Sequence, residues 1–175
     1  MGDERISSMR AMAHPVRVRI ASLLTGAEMS AAEVARELGL THANASYHLR
    51  TLAEAGKIVE AGEVTIRGGV AKRYRYPHEL RGRESDGGRS TTAERLAYLS
   101  ALHAEVERRA NHVDVDAPGC GFDLDGWVSP EVAERAWALI REASELLHDA
   151  NRPPRSAGTV HVSATATTFQ MVAGG

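Results

Sequence analysis

Residues 30–59 read SAAEVARELGLTHANASYHLRTLAEAGKIV, and this stretch predicts two short helices joined by a tight turn. Ser30 and Glu33 have the spacing of a capping box, so the first helix should begin there. Gly39 permits the positive φ of a C-terminal turn, and Thr41 can cap a second helix that Gly56 ends. Two helices joined by about three residues predict a helix-turn-helix.

The second of these helices has one apolar face and one polar face. Ala45, Leu49 and Leu52 recur at helical spacing and should pack into the core. The remaining faces, together with the cap, are polar without being acidic, and they carry Thr41, His42, Asn44, Ser46, Tyr47 and Arg50. Amide, guanidinium and hydroxyl groups contact base edges and phosphates, so this surface predicts a helix that lies in the major groove of duplex DNA. The alternative is an ordinary solvated helix face.

After Gly56 the pattern changes to β-branched and aromatic residues, with Arg67-Gly68-Gly69 between two such runs. This predicts a two-stranded wing with a hairpin tip. Its cations are Arg67, Lys72, Arg73 and Arg75. Such a hairpin suits phosphate or minor-groove contact, because arginine and lysine neutralise backbone charge and release counterions. A solvated hairpin is again the alternative.

The rest of the chain is predicted to be largely helical. A short helix over Ile6–Ala13 precedes one that starts at Pro15. Beyond the wing, residues 92–152 carry two helical patterns, and Thr159–Val172 alternates like a strand. We therefore expect four units: a winged helix-turn-helix over 1–80, a linker over 81–91, a helical dimerisation region over 92–152, and a strand or tail over 153–175. The expected fold is mainly α with a small β wing, in the α+β class.

The apolar stripes of the terminal helices predict a homodimer. Two helices of this length cannot bury their stripes on each other alone, so a partner surface is needed. The predicted interface consists of Ile6, Met9, Leu96, Leu99, Leu102, Val106, Leu139, Ile140 and Leu147.

The composition is typical of a helical protein, and the charge distribution predicts that the first half of the chain binds a polyanion. Aromatic residues are only 5% of the 175, which favours helices packed through alanine and leucine over a sheet-rich fold. Residues 1–83 hold 13 Lys or Arg against 9 Asp or Glu, whereas residues 84–175 hold 8 against 14. The single cysteine, Cys120, excludes an internal disulfide or a thiolate cluster. Without a signal core or an apolar span, we expect a cytoplasmic protein with no membrane association.

The stretch 30–59, with Ala13-His14-Pro15-Val16-Arg17 ahead of it, resembles the core of the ArsR-like winged helix regulators. The resemblance covers roughly the first 76 residues. It implies a homodimeric transcription regulator that binds an operator and is released by an effector. For His48 it implies a DNA contact, although a half-buried histidine fits the pattern equally well.

Other chemistries are disfavoured. The thiolate pair through which such regulators sense metals is replaced by Ala27-Glu28-Met29-Ser30-Ala31. Neither the spacing of His103, Glu107 and His112 nor the lone Cys120 predicts a metal or redox site. No nucleophile with a base and an orienting group is visible, so we expect neither enzyme activity nor a cofactor.

Trp127 and Trp137 could line an effector pocket, although they fit an interface core better.

The sequence leaves two functions open. The leading hypothesis is a repressor that binds double-stranded DNA as a homodimer and responds to a small molecule. The other is a winged helix module that binds proteins and has lost DNA binding. A polar or basic recognition helix favours DNA.

Overall fold

The computed structural model describes residues 8–66, 69–77 and 90–172. Its elements are α1 (Ser8–Met12), α2 (Pro15–Leu23), β1 (Met29–Ser30), α3 (Ala31–Leu38), α4 (His42–Glu54), β2 (Val59–Ile66), β3 (Gly69–Arg75), α5 (Thr92–Ala110) and α6 (Pro130–Ala150). This mixture of helices with one small sheet confirms the predicted α+β class. None of the described helices is long and apolar enough to cross a membrane.

The helix-turn-helix is formed by α3 and α4, and its ends follow local rules. At the start of α3, the Ser30 hydroxyl accepts from the Glu33 amide while the Glu33 carboxylate accepts from the Ser30 amide. Gly39 ends α3 with a φ of 66°, a conformation that glycine adopts without a Cβ penalty. The Thr41 hydroxyl then accepts from the Asn44 amide at 3.2 Å and caps α4. The predicted capping box and turn are therefore confirmed.

The wing belongs to a three-stranded antiparallel sheet in the order β1-β3-β2. Strands β2 and β3 form the predicted hairpin, with a bulge between Glu60 and Gly62. The third strand, β1, pairs Met29 with Tyr74 and Ser30 with Arg73. Sequence reasoning missed β1 because two residues are too few to show an alternating pattern.

One hydrophobic core lies beneath the helix-turn-helix. Its fully buried large side chains come from four segments of the chain, namely Ile20, Leu24, Val34, Leu49, Leu52 and Ile58. Tyr74 of β3 packs against the same cluster. The core thus holds α4 through the apolar side chains of that helix, and it holds the wing through Tyr74 of β3.

Helix α5 packs against α1 and α2 of its own chain, with Ala101 and Glu105 buried in that contact. The carboxylate of Glu105 accepts from Arg108 Nη2 at 2.6 Å and from Arg109 Nε at 3.1 Å. Arg19 of α2 approaches it to 3.9 Å. A part of the predicted dimerisation region is thus fixed to the half that contains the helix-turn-helix.

Helix α6 has no buried residue and meets the rest of the chain at its C-terminal end. There the Asn151 amide donates to the Thr25 hydroxyl at 2.7 Å. Arg155 pairs with Glu37 of α3 at 2.5 Å. These contacts tie the end of α6 to the helix-turn-helix.

Of the strand or tail predicted for the C-terminal segment, the single chain has the tail. Residues 159–172 contain no strand, although apolar and polar residues alternate in their sequence. A strand requires another strand to accept and donate its backbone hydrogen bonds, and none of the described strands pairs with this segment.

The predicted interface residues divide into two groups. Met9, Leu99, Leu102, Val106 and Ile140 are half-buried. Leu96, Leu139 and Leu147 are exposed by 61%, 47% and 41%. Ile6 lies outside the described residues.

Candidate nucleic-acid interface

Helix α4 separates a buried apolar face from an exposed polar one. Its buried residues are Ala45, His48, Leu49, Thr51 and Leu52. The exposed residues include His42, Asn44, Tyr47 and Arg50, and Ser46 is half-buried. None of these polar side chains is acidic, but Glu54, the last residue of α4, is also exposed, and the sequence prediction of a non-acidic surface did not take it into account. The predicted DNA-contacting residues of α4, other than His48, are thus exposed or half-buried.

The N-terminus of α4 adds electrostatic attraction for an anion. Its first turn contains no acidic residue, so the partial positive charge of the helix end is not neutralised locally. Thr41 is exposed beside this end, but its hydroxyl already accepts from Asn44. Backbone amides at such an end can donate to a phosphate oxygen.

Two of the predicted wing cations are held by groups within the chain. Lys72 pairs with Glu60 across the hairpin at 2.7 Å, and this hydrogen bond raises the pKa of Lys72. Arg73 donates to the backbone carbonyl of Glu28 and lies 3.6 Å from the Glu33 carboxylate. Arg73 therefore joins β3 to the start of α3.

The other two predicted wing cations are Arg75 and Arg67. Arg75 donates to the Tyr76 carbonyl at 3.4 Å. Arg67 lies outside the described residues. Among the described wing cations, Lys72 and Arg73 therefore each have a carboxylate of the same chain beside them.

Glu33 serves both the helix cap and the wing. Partial burial opposes its charge, but hydrogen bonds from Ser30, together with the nearby Arg73, outweigh burial and lower its pKa. An ionised Glu33 can accept from Ser30 and attract Arg73 at the same time. Glu33 therefore links the wing to the start of α3, in addition to the pairing of β1 with β3.

His48 is only 5% exposed, so the half-buried alternative describes it better than an open DNA contact does. Its ring centroid lies 4.7 Å from that of His14 and 5.2 Å from that of Tyr47. His48 Nδ1 is buried with no hydrogen-bond partner among the described residues. His14 Nδ1 accepts from the Val16 amide at 3.2 Å and so caps α2. The pair joins the start of α2 to the inner side of α4, and sequence reasoning missed it because 34 positions separate the two residues.

Both histidines should be neutral at neutral pH. Burial lowers the pKa of each, and the positive charge of Arg17 lowers both further. For His48 the neighbouring His14 acts in the same direction.

This pair predicts that folding stability falls as the solution is acidified. Because the pKa of each histidine is lower in the folded chain, the unfolded chain binds protons first as the pH falls below about 6.5. Stability is full above that pH and is lost as the pH falls toward the folded pKa. We expect the thermal midpoint to depend less on pH, between about pH 7 and pH 5, in His48→Gln than in the wild type.

The matched control for this experiment is His103→Gln, since His103 is exposed on α5. It should keep the wild-type pH dependence. Equal slopes for His48→Gln and the wild type would show that the pair of His14 and His48 does not sense acid.

Trp127 and Trp137 do not enclose a pocket within one chain. Trp127 is 94% exposed, and Trp137 is half-buried on α6. An open cleft of about 1070 Å³ lies elsewhere, between the end of α6 and the base of the wing. Its lining includes Met29, Arg75 and His148.

Comparison with known families agrees with the geometry. A family model described as a helix-turn-helix domain matches residues 12–60, from the end of α1 to the start of β2. No curated protein gives a significant match to the chain. The chain therefore contains a helix-turn-helix domain of the kind that DNA-binding regulators carry, and the β2–β3 hairpin follows it as a wing.

Proposed function

We propose that this protein is a sequence-specific DNA-binding transcription regulator of the ArsR-like type, which reads its operator with α4. The observation that carries the proposal is the composition of α4: its apolar side is buried, and over residues 42–50 its accessible side presents His42, Asn44, Tyr47 and Arg50 without a carboxylate, the exposed Glu54 lying at the last residue of the helix. Asparagine can form two hydrogen bonds with adenine, and arginine can form two with guanine. A surface for a protein partner would be more apolar or acidic.

We further propose that the regulator acts as a homodimer. One recognition helix covers only a few base pairs, and two-fold dimers present two helices about 34 Å apart to successive turns of DNA. The exposed apolar side chains of α5 and α6 support a second copy as the partner. Residue Leu146, at 70% exposure, extends the predicted stripe on α6.

Repression and release by an effector are supported by the sequence resemblance. The cleft beside the wing offers a place for a small molecule, because its lining includes both β3 and the end of α6. A ligand bound there would act on the wing and on α6 together. Trp127 is not part of that lining.

The primary test is selection of genomic fragments by the purified full-length chain, followed by footprinting. On the selected site, Asn44→Ala and Arg50→Ala should each weaken binding by about 1 to 3 kcal/mol, or roughly 5- to 150-fold. Each variant should also relax the base preference at its own position. If α4 recognises the DNA sequence, each variant should show both effects, namely weaker binding and a relaxed base preference.

The control for the binding test is Arg135→Ala, which removes an exposed positive charge from α6 and should leave the base preference unchanged. Titrations at several salt concentrations separate a base contact from a phosphate contact, since losing a phosphate contact lowers the salt slope by about one. If no genomic fragment is enriched, or if all variants select the same site with wild-type affinity, α4 does not read DNA. The protein-binding alternative would then be favoured.

A further inference from the structure

The C-terminal segment, residues 156–172, has a composition that is unusual for an exposed part of a protein. It contains no Asp, Glu, Lys or Arg. Proteins normally protect exposed strand-like segments with charges, because an uncharged edge recruits other strands. An uncharged segment that stays accessible would favour aggregation, so this one should be covered in the working protein.

The pattern of the C-terminal segment is that of a strand. From Val160 to Ala166 apolar and polar residues alternate strictly. In an extended chain, the apolar side would carry Val160, Val162, Ala164 and Ala166, and the opposite side would carry His161, Ser163, Thr165 and Thr167. Phe169 and Met171 continue on the second side.

This strand pattern is left without a partner within the described chain. Residues 160–172 are exposed throughout, with Val160 at 84%, Phe169 at 63% and Val172 at 81%. The sheet of β1, β3 and β2 does not include them. The segment has the alternating side chains of a strand, but none of the described strands pairs with its backbone.

The start of the C-terminal segment is fixed relative to α4. Asn151 and Arg155 attach the end of α6 to Thr25 and Glu37. The backbone then turns at Arg155 and Gly158, which have φ values of 64° and 73°. A strand that begins at this point would have a defined position relative to the DNA-binding half.

We infer that the C-terminal segment pairs antiparallel with the same segment of a second copy, so that the two subunits share a two-stranded ribbon. Self-pairing fits the composition, because identical strands without charges place no like charges opposite each other. It also fits two-fold symmetry, in which the same surface is used by both subunits. This inference deepens the homodimer of the proposed function by naming the contact that forms it.

A two-stranded ribbon alone is marginally stable in water and needs a hydrophobic cover. The doubled apolar side, with Val160 and Val162 from each copy, would pack against another apolar surface. The exposed leucines of α6, Leu139, Leu146 and Leu147, supply such a surface. Covering both would remove these exposed apolar side chains from water, which is favourable in proportion to the apolar area buried.

Spin-label distances between two identical subunits test the pairing directly. In a Cys120→Ser background, single cysteines replace His161, Ser163, Thr165 and Thr167 in turn, because labels on this polar side do not disturb the apolar one. In an antiparallel pair both labels move away from the dyad together, so each step of two residues changes the distance by about 13 Å. We expect a profile with one minimum near the middle of the segment.

Other distance profiles would overturn the inference. Equal distances at all four positions would mean parallel pairing. The absence of coupling between labels would mean that the segment pairs within its own chain, binds a different protein or stays single. None of these readings depends on DNA, so a failure of the proposed DNA-binding function would leave the pairing result unaffected.

Proline substitutions provide a second test with a matched control. Ala164→Pro and Thr165→Pro each remove one backbone donor, and because successive amides point to opposite edges, one of the two must face the partner strand. At least one variant should weaken dimerisation tenfold or more in sedimentation, while Thr165→Val should not. Wild-type dimerisation by both proline variants would exclude the ribbon. The melting of the winged helix should be unchanged in all three, since the segment does not pair with its sheet.

Discussion

Replacing Glu105 with alanine should lower the free energy of unfolding by about 3 kcal/mol or more, because it removes a buried carboxylate from a cluster of arginines at the contact of α5 with α2. The side chain of Glu105 is 2% exposed. Its oxygens accept from Arg108 and Arg109, and Arg19 lies 3.9 Å away. Without the carboxylate, the guanidinium groups of Arg19 and Arg109 would face each other in a largely buried place.

The ionised state of Glu105 is well supported by its surroundings. Burial opposes the charge, but the hydrogen bonds from Arg108 and Arg109 exceed that effect and lower the pKa of Glu105. A carboxyl group whose pKa is lowered by folding contributes stability above its unfolded pKa of about 4.3, and this contribution is lost as the pH falls through the folded value. The cluster should therefore be intact at neutral pH.

Urea unfolding followed by circular dichroism measures this effect. The matched control is Glu107→Ala, two positions away on the exposed side of the same helix, which should change stability by less than about 0.5 kcal/mol. Arg108 is 45% exposed, and solvent weakens its share of the attraction. If the two alanine variants unfolded at the same urea concentration, Glu105 would not hold α5 in place.

Sequence reasoning succeeded where structure is decided by residues close together in the chain. Ser30 and Glu33 form the complete capping box that their spacing predicts. Gly39 adopts the predicted positive φ, and Gly56 follows the end of α4 as predicted. Each of these features depends on backbone groups within four positions, so the local sequence contains all the information required.

Contacts between side chains from distant segments were not predicted. The phosphate contact of Arg73 stays a prediction, and nothing in the local pattern indicated that Glu28 and Glu33, 40 or more positions away, would hold this side chain. Nor did it indicate the approach of Arg19 to Glu105. Which cation meets which carboxylate is set by the packing of elements, and periodicity does not encode it.

The C-terminal segment illustrates a third case, in which the pattern is informative but one chain cannot satisfy it. Alternation predicts which residues would share a side of a strand. It does not specify the neighbouring strand, and residues 159–172 contain no strand in the single chain. A local pattern can therefore be read correctly while the structure it predicts depends on a second molecule.

The two sides of α4 should respond in opposite ways to truncation, and this contrast separates folding from DNA recognition. Leu49 is fully buried in the main core, so Leu49→Ala removes apolar contacts and leaves a cavity, at a cost of about 2 to 5 kcal/mol. Arg50, the next residue, is exposed, and Arg50→Ala should change stability by less than about 0.5 kcal/mol.

Urea unfolding and operator titration of both variants compare the effect of each substitution on stability with its effect on DNA binding. We expect Leu49→Ala to lose stability and to bind DNA in proportion to its folded fraction, while Arg50→Ala stays folded and binds weakly. Because the two residues are adjacent, a general disturbance of α4 would affect both variants alike. If Arg50→Ala lost as much stability as Leu49→Ala, or bound the operator normally, the assignment of the exposed side of α4 to DNA would be wrong.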